Sequence, residues 1–258
     1  MSQVWNVYAL KYAERNARTR AESFLDDDHP AAPHGMDYFV WVLDNGQQKI
    51  VVDTGYDAAE STRRGRPILR DPAASLTALG LNAGDVETVI ITHLHYDHAG
   101  GLDRYPKAKF HLQALEMSFA TGPCMCDPML QAPFTADHVC EMVRHVYSGR
   151  VIFHEGDGQV APGVTLHRTG GHSAGLQVVR VMTDSGPLCL ASDAAHYYEN
   201  FESGLIFPIV VDKEAMRAGF KRIVALGGAS DRVIPGHDPL VRDRYPAFGR
   251  SGFIWRLA

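Results

Sequence analysis

The sequence predicts a layered α/β domain. Its apolar runs are short, each about the length of a single strand, and turn residues separate them. Runs rich in β-branched residues are interleaved with a few stretches of helical spacing, the pattern of sheets covered by helices. No internal repeat or low-complexity linker divides the 258 residues, so one domain over 1–258 is expected.

The elements follow in order. The stretch from Glu14 to Gly35 carries Asp26-Asp27-Asp28 and reads as a solvated surface insertion. Tyr38 to Leu43 (YFVWVL) and Ile50 to Val52 read as two strands joined by a turn at Asp44-Asn45-Gly46. Asp71-Pro72 reads as a helix start, with Asp71 as the cap and Pro72 in the first turn. Val89-Ile90-Ile91-Thr92 is a short, buried, β-branched strand. Lys109 to Leu112, Val151 to Phe153, Val164 to His167, Gln177 to Val181 and Leu188 to Ala191 are further strand candidates. Glu214 to Leu226 spaces Met216, Phe220, Ile223, Val224 and Leu226 as a helix does. Val233-Ile234 is the last strand, stopped by Pro235-Gly236. Around the loop Pro123 to Pro133, the side chains Met117, Phe119, Met125, Met129, Leu130 and Phe134 either fill core or line an apolar pocket, and Phe201 to Pro208 offers a second wall.

Composition narrows the function classes. With 45% hydrophobic and 21% charged residues, the chain has the make-up of a soluble globular protein. No apolar run approaches the roughly 18 residues of a membrane span. Met1-Ser2-Gln3-Val4-Trp5 lacks the basic start and apolar stretch of a secretory leader. A net charge of -5, with no concentrated basic footprint, argues against nucleic acid as the partner. Cys124, Cys126, Cys140 and Cys189 do not show the spacing of a zinc ribbon, and a chain this long builds its core without disulfides. Four reduced thiols and a cytoplasmic location are expected. The oligomeric state is left open, a homodimer being compatible.

The chemistry is concentrated in Thr92-His93-Leu94-His95-Tyr96-Asp97-His98-Ala99-Gly100-Gly101, directly after the strand at Val89. Four ligand-type side chains in six residues at the end of a buried strand are hard to explain as surface decoration. Imidazole and carboxylate together suit zinc, iron or manganese. His-x-His places two rings on one side of an extended segment; the chain must then turn to present Asp97 and His98, a geometry that serves two metals better than one. Three more ligand-type residues sit where a strand runs into a loop: His172 in Gly170-Gly171-His172-Ser173, Asp193 after Ser192, and His237 in Pro235-Gly236-His237-Asp238.

With these residues in view, the sequence resembles the metallo-β-lactamase superfamily in its binuclear branch, from Asp53-Thr54-Gly55 to His237. The resemblance implies an αββα sandwich: two β-sheets with helices on both outer faces. It implies that His93, His95 and His172 hold one metal, that Asp97, His98 and His237 hold the other, and that Asp193 bridges them. Asp53 would lie just behind the ligands. Two Zn2+ are expected, with Fe or Mn also compatible. Asp97, Asp193 and a bridging hydroxide would cancel three of the four positive charges. The residual charge would favour a nucleophilic hydroxide and an oxyanion at a substrate carbonyl.

Within the superfamily the chain looks most like the N-acyl homoserine lactonases. The cues are His93 to Gly100, and Asp193-Ala194-Ala195 followed by Glu199-Asn200-Phe201. Those lactonases carry a tyrosine three residues after the bridging aspartate. Here that position is His196, followed by Tyr197 and Tyr198, so either His196 or Tyr197 is expected to donate to the substrate carbonyl. The reading is a quorum-quenching lactonase acting on a small-molecule lactone. Rivals are a hydrolase of another cyclic ester or amide, such as a vitamin-derived lactone, and a glyoxalase-II-type thioesterase. The latter usually carries a basic C-terminal region, whereas this sequence stops soon after His237.

Overall fold

The computed structural model describes residues 3–258; Met1 and Ser2, where the leader-free N-terminus was read, lie outside the described residues. Among the described residues, twelve strands form two sheets. They are β1 (Asn6–Arg15), β2 (Met36–Asp44), β3 (Lys49–Val52), β4 (Thr88–Ile90), β5 (Lys109–Gln113), β6 (Val151–His154), β7 (Gly158–Ala161), β8 (Val164–Arg168), β9 (Gln177–Thr183), β10 (Gly186–Ser192), β11 (Val233–Pro235) and β12 (Ile254–Arg256). The first sheet runs β12-β1-β2-β3-β4-β5-β6 and the second β11-β10-β9-β8-β7.

The period-2 alternation of side chains sorts each strand between two cores. From β2, Phe39, Trp41 and Leu43 join Val164, Leu166, Val179, Val181, Leu188 and Leu190 between the sheets. Tyr38, Val40 and Val42 of the same strand face Leu76, Phe119, Val139 and Met142 on the other side. Burial on both faces is why β2 reads as a continuous apolar run rather than an alternating one. The outer face of the second sheet packs Val178, Cys189 and Ala191 against Met216, Phe220 and Ile223 of the helix Lys213–Gly227. Helix, sheet, sheet, helix is the αββα sandwich that the resemblance implies.

Local sequence explains the elements. Asp44 Oδ1 accepts from the Gly46 amide at 2.8 Å in the β2–β3 turn, where Gly46 takes a positive φ. Asp71 caps the helix Pro72–Ser75, accepting from the Ala74 amide, and the segment then tightens into a 3-10 turn at Leu76–Leu79. Asp212 caps Lys213–Gly227 by accepting from the Glu214 and Ala215 amides.

One reading needs correction and another is refined. The sequence pointed to no strand over β1, β7 or β12 and no helix over Ala58–Arg64 or Ala136–Tyr147. In β1 a bulge between Lys11 and Ala13 breaks the alternation, and buried Lys11 is answered by Asp37 at 2.9 Å. In Ala136–Tyr147 the buried stripe is only Val139, Met142 and His145, and the ordinarily polar His145 hides its apolar character. The stretch Glu14 to Gly35 lies mostly at the surface, as read, but it is anchored to the fold at a few points. Arg18, Ser23 and Phe24 are buried, Phe24 belongs to the core beneath the first sheet, and Arg20 pairs with Asp27 at 2.7 Å and Glu199 at 2.8 Å. The charge of Asp27 is taken up by Arg20 rather than by water.

Candidate active site

In the parallel pairs β3/β4 and β10/β11, the C-terminal strand ends emerge on one edge of the sandwich. Four loops therefore deliver Asp53, the His93–His98 segment, Asp193 and His237 to one place, and the β8–β9 loop adds His172. All seven sequence-predicted ligand residues are buried. Ligand atoms of His93, His95 and His172 lie within 4.8 Å of one another, and so do those of Asp97, His98 and His237.

Asp193 stands between the two trios. Its Oδ2 is 3.2 Å from His172 Nε2 and 3.8 Å from His93 Nε2. Its Oδ1 is 3.1 Å from His237 Nε2 and 3.3 Å from His98 Nε2. Asp97 Oδ2 is 3.7 Å from both His98 Nε2 and His237 Nε2.

The opposite ring nitrogens are fixed by the scaffold. His98 Nδ1 meets Asp53 Oδ2 at 2.7 Å, His172 Nδ1 meets the Ile209 carbonyl at 2.7 Å, and His237 Nδ1 meets the Asp37 carbonyl at 2.8 Å. These contacts turn each Nε2 inward. His93 Nε2, His98 Nε2, His172 Nε2 and Asp193 Oδ1 are buried with no hydrogen-bond partner. Buried polar atoms are ordinarily satisfied, so four converging atoms left over fit a cation held among them.

The electrostatics agree. Burial pushes the His93 and His95 imidazoles well below their usual range, with neighbouring histidine charges adding to the effect. Burial opposes charge on His98 too, yet Asp193, Asp97 and Asp53 outweigh it and raise His98. Burial likewise resists ionisation of Asp193, but His237, His98 and His196 overcome it and hold the carboxyl well down. The carboxylates call for positive charge, and the neutral imidazoles supply lone pairs.

Among the described residues, two non-glycine residues take positive φ, Asp53 (61°) and Ser192 (44°), and both adjoin the site. Such backbone costs about 1–3 kcal/mol each and is retained where the surroundings over-determine it. Here they do. Asp53 Oδ1 accepts from the Thr92 amide at 2.8 Å, Asp53 Oδ2 from the Thr92 hydroxyl at 2.8 Å, and Thr92 Oγ1 meets Ser192 Oγ at 2.9 Å. Gly236 permits a close approach: a Cβ there would sit 2.7 Å from Asp193 Oδ1.

The two candidate carbonyl donors part company. His196 lines the pocket over the centre, with Nε2 at 2.9 Å from Asp193 Oδ2 and its ring stacked on Phe207 at 3.7 Å. Tyr197 turns its hydroxyl away, accepting from Arg18 Nη1 at 2.6 Å and donating to the Gly35 carbonyl at 3.2 Å.

Residues matching the Metallo-beta-lactamase superfamily profile run from 36 to 247. The chain belongs to the metallo-β-lactamase superfamily. An N-acyl homoserine lactonase from Bacillus sp is 31% identical to it over 149 residues, 57% of this chain and 54% of that protein. The match thus spans about half the length of that relative. A crystal structure of an N-acyl homoserine lactone hydrolase with N-hexanoyl-L-homoserine at its catalytic metal centre superposes with a TM-score of 0.79. It is 22% identical, covering 96% of this chain and 98% of that one. AidC, a dizinc quorum-quenching lactonase, gives a TM-score of 0.71 at 13% identity, covering 99% and 95%. These structural likenesses establish the metallo-β-lactamase fold.

Other pocket residues escaped the sequence reading. Glu116 lies buried beneath the centre, accepting from the Leu94 amide (2.9 Å), the Ser173 hydroxyl (2.5 Å) and the Gly175 amide (2.9 Å), and so ties the His95 loop to the His172 loop. The only hint was one acid in the otherwise uncharged stretch Ala114–Thr121. The pocket mouth is built by Arg15, Arg18, Glu22, Met36, Tyr38, Arg66 and Tyr96, with Pro133, Pro208 and Ile209 as walls. Of the apolar candidates, Met125 and Phe134 line a separate groove of about 620 Å³, and Phe134 also meets the His95 ring at 4.6 Å. Phe119 is core, and Met129 is 85% exposed. No helix among the described residues is long and apolar enough to cross a membrane. All four cysteines are free thiols, Cys189 buried and the others exposed.

Proposed function

We propose that one domain spanning the chain is a dinuclear zinc-dependent hydrolase that opens a lactone ring, N-acyl homoserine lactone being the substrate class that the relatives' names support. One observation carries the reading: the two oxygens of Asp193 face opposite trios of candidate ligands. His93, His95 and His172 would hold one ion, Asp97, His98 and His237 the other, with Asp193 shared. Bound there, divalent ions supply Lewis acidity and lower the pKa of coordinated water toward neutrality.

The chain's own groups do the rest. Burial lowers the His196 pKa to about 3, so the ring is neutral and its Nε2–H is engaged by Asp193. His196 thereby orients the shared carboxylate. A hydroxyl proton is to spare at Tyr38. Arg66 donates to the Tyr96 hydroxyl, the Tyr96 hydroxyl donates to Tyr38 Oη at 3.3 Å, and Tyr38 lines the pocket beside His237. Burial raises the Tyr38 pKa, so the phenol keeps its proton to donate to an oxygen gaining negative charge. Tyr38 thus takes the part that the sequence offered to His196 or Tyr197.

The test is metal analysis of protein purified without chelator, followed by a hydrolysis screen of acyl-homoserine lactones, other lactones, cyclic amides, S-lactoylglutathione and a phosphodiester. The expected result is close to two zinc equivalents with turnover confined to lactones. Full activity at one equivalent that added zinc does not raise would overturn the dinuclear reading, and turnover of the thioester alone would overturn the lactone.

A further inference from the structure

The arginines at the pocket mouth hold carboxylates only loosely or not at all, unlike the tight arginine–carboxylate pairs found at several places elsewhere. Away from the site, Arg20 meets Asp27 at 2.7 Å, Arg63 meets Glu60 at 2.5 Å, Arg104 meets Asp71 at 2.8 Å and Arg222 meets Asp157 at 2.5 Å. At the mouth, Arg66 is held by a phenol, its guanidinium donating to the Tyr96 hydroxyl and lying 5.0 Å from the Tyr96 ring centroid. Arg15 and Arg18 share one carboxylate, Glu22 Oε1, at the loose distances of 3.4 and 3.7 Å. The Arg18 side chain is buried; its Nη1 and Nη2 donate to the Tyr197 hydroxyl at 2.6 Å and the Glu22 carbonyl at 2.7 Å, and its Nε has no hydrogen-bond partner. Three guanidinium groups and one carboxylate thus line the same pocket as His95, Asp97, Asp193 and His237.

Leaving guanidinium N–H donors unanswered in a half-enclosed pocket costs free energy, and natural structures keep such groups where a ligand completes them. The planar fork of arginine matches a carboxylate, which can take two parallel hydrogen bonds from it. An uncharged acyl-homoserine lactone would bring no counter-charge to these three groups, which share the single carboxylate of Glu22. We propose that the lactone opened here carries a second, anionic group, a carboxylate, seated between Arg66 and the Arg15/Arg18 pair. This inference rests on the lactonase reading of the same pocket and names its substrate class.

A matched pair of substrates tests it: N-glutaryl-homoserine lactone, with a free carboxylate, and its methyl ester, which is neutral. The zinc-loaded wild type should show kcat/KM about tenfold or more higher for the acid, the value of one or two charged hydrogen bonds. In Arg66→Met the acid-to-ester ratio should fall toward one, and Arg66→Lys should restore part of it. Arg15→Met, at the more exposed position, is the second variant should Arg66→Met fail to fold. A ratio near one in the wild type would overturn the proposal. Independently of turnover, calorimetry of glutarate binding to the zinc-loaded protein should show an affinity that drops about tenfold or more in Arg66→Met with metal content unchanged. Equal glutarate affinity in both proteins would overturn the carboxylate seat. If the wild type hydrolyses neither lactone, the lactonase reading fails by itself, and the glutarate titration still decides whether the arginines bind a carboxylate.

Discussion

The floor and the rim of the pocket are built in opposite ways. On the floor, every candidate ligand follows a strand end or the β8–β9 loop, and Nδ1 contacts to Asp53, the Ile209 carbonyl and the Asp37 carbonyl fix three of the rings. On the rim, Arg15, Arg18, Tyr38 and Arg66 come from the end of β1, the segment after it, the outer face of β2 and the loop after helix Ala58–Arg64. The floor has four converging atoms without partners, fitting a metal. The rim has guanidinium groups held by a phenol and a shared acid, fitting a substrate. The difference teaches that the candidate reaction centre lies where strands end, whereas the proposed substrate contacts come from segments that fold over them.

The largest expected effect breaks the floor. Asp193→Ala removes the one carboxylate facing both trios and leaves five histidines without their carboxylate partner. Metal content should fall by at least one equivalent and kcat by about a hundredfold or more. Near-normal turnover in a folded Asp193→Ala protein would remove the bridge assignment. A smaller effect on the same floor is expected from Asp53→Asn, which keeps the shape but loses the charge at His98 Nδ1. Zinc affinity should weaken by about 10–100-fold at one of the two sites, as read by competition with a chelator dye. Uniform weakening at both sites would show that Asp53 supports the whole edge rather than His98.

The same contrast explains what the sequence made legible. The clustering of the candidate ligands was readable because they lie where short apolar runs give way to turns, as in Val89 to His93 and Val233 to His237. Asp53 was readable for the same reason, though its left-handed φ was not. The rim was not readable. Arg18 and Arg66 look like ordinary surface arginines, and only folding buries Arg18 against Tyr197 and sets Arg66 on Tyr96. The run Asp26-Asp27-Asp28 made the surrounding segment look solvated throughout, because charge pattern does not disclose a partner as distant as Arg20 with Glu199. Tyr38 was read as a strand residue, and its neighbour Tyr96 lay inside the motif without a role.

At the junction of floor and rim, Tyr38→Phe should lower kcat about tenfold with both metals retained and KM little changed, since the donated hydrogen bond strengthens as the oxyanion develops. His196→Ala tests the alternative donor. If His196 orients Asp193, its loss should appear as weakened metal binding that added zinc partly restores. A tenfold fall in kcat at full zinc occupancy for His196→Ala, with Tyr38→Phe unaffected, would move the donor back to His196.

The smallest expected effect concerns Tyr197, which the sequence placed beside the chemistry and the fold places behind the rim. Its hydroxyl accepts from Arg18 Nη1 at 2.6 Å and donates to the Gly35 carbonyl at 3.2 Å, while its ring meets His34 at 4.3 Å and Phe24 at 5.7 Å. Tyr197→Phe keeps the ring packing and deletes these hydrogen bonds and the weaker one from Ser23 Oγ at 3.4 Å, leaving the buried Arg18 Nη1 without its acceptor. Stability should fall by about 1–3 kcal/mol, the cost of an unsatisfied buried donor. Turnover of a neutral lactone should stay within about twofold of wild type, because no reacting atom meets this hydroxyl. Urea denaturation and steady-state kinetics on one preparation separate the two. If instead kcat drops tenfold while stability holds, Tyr197 reaches the substrate in the working enzyme, and the segment from Arg18 to Gly35 must move to let it in.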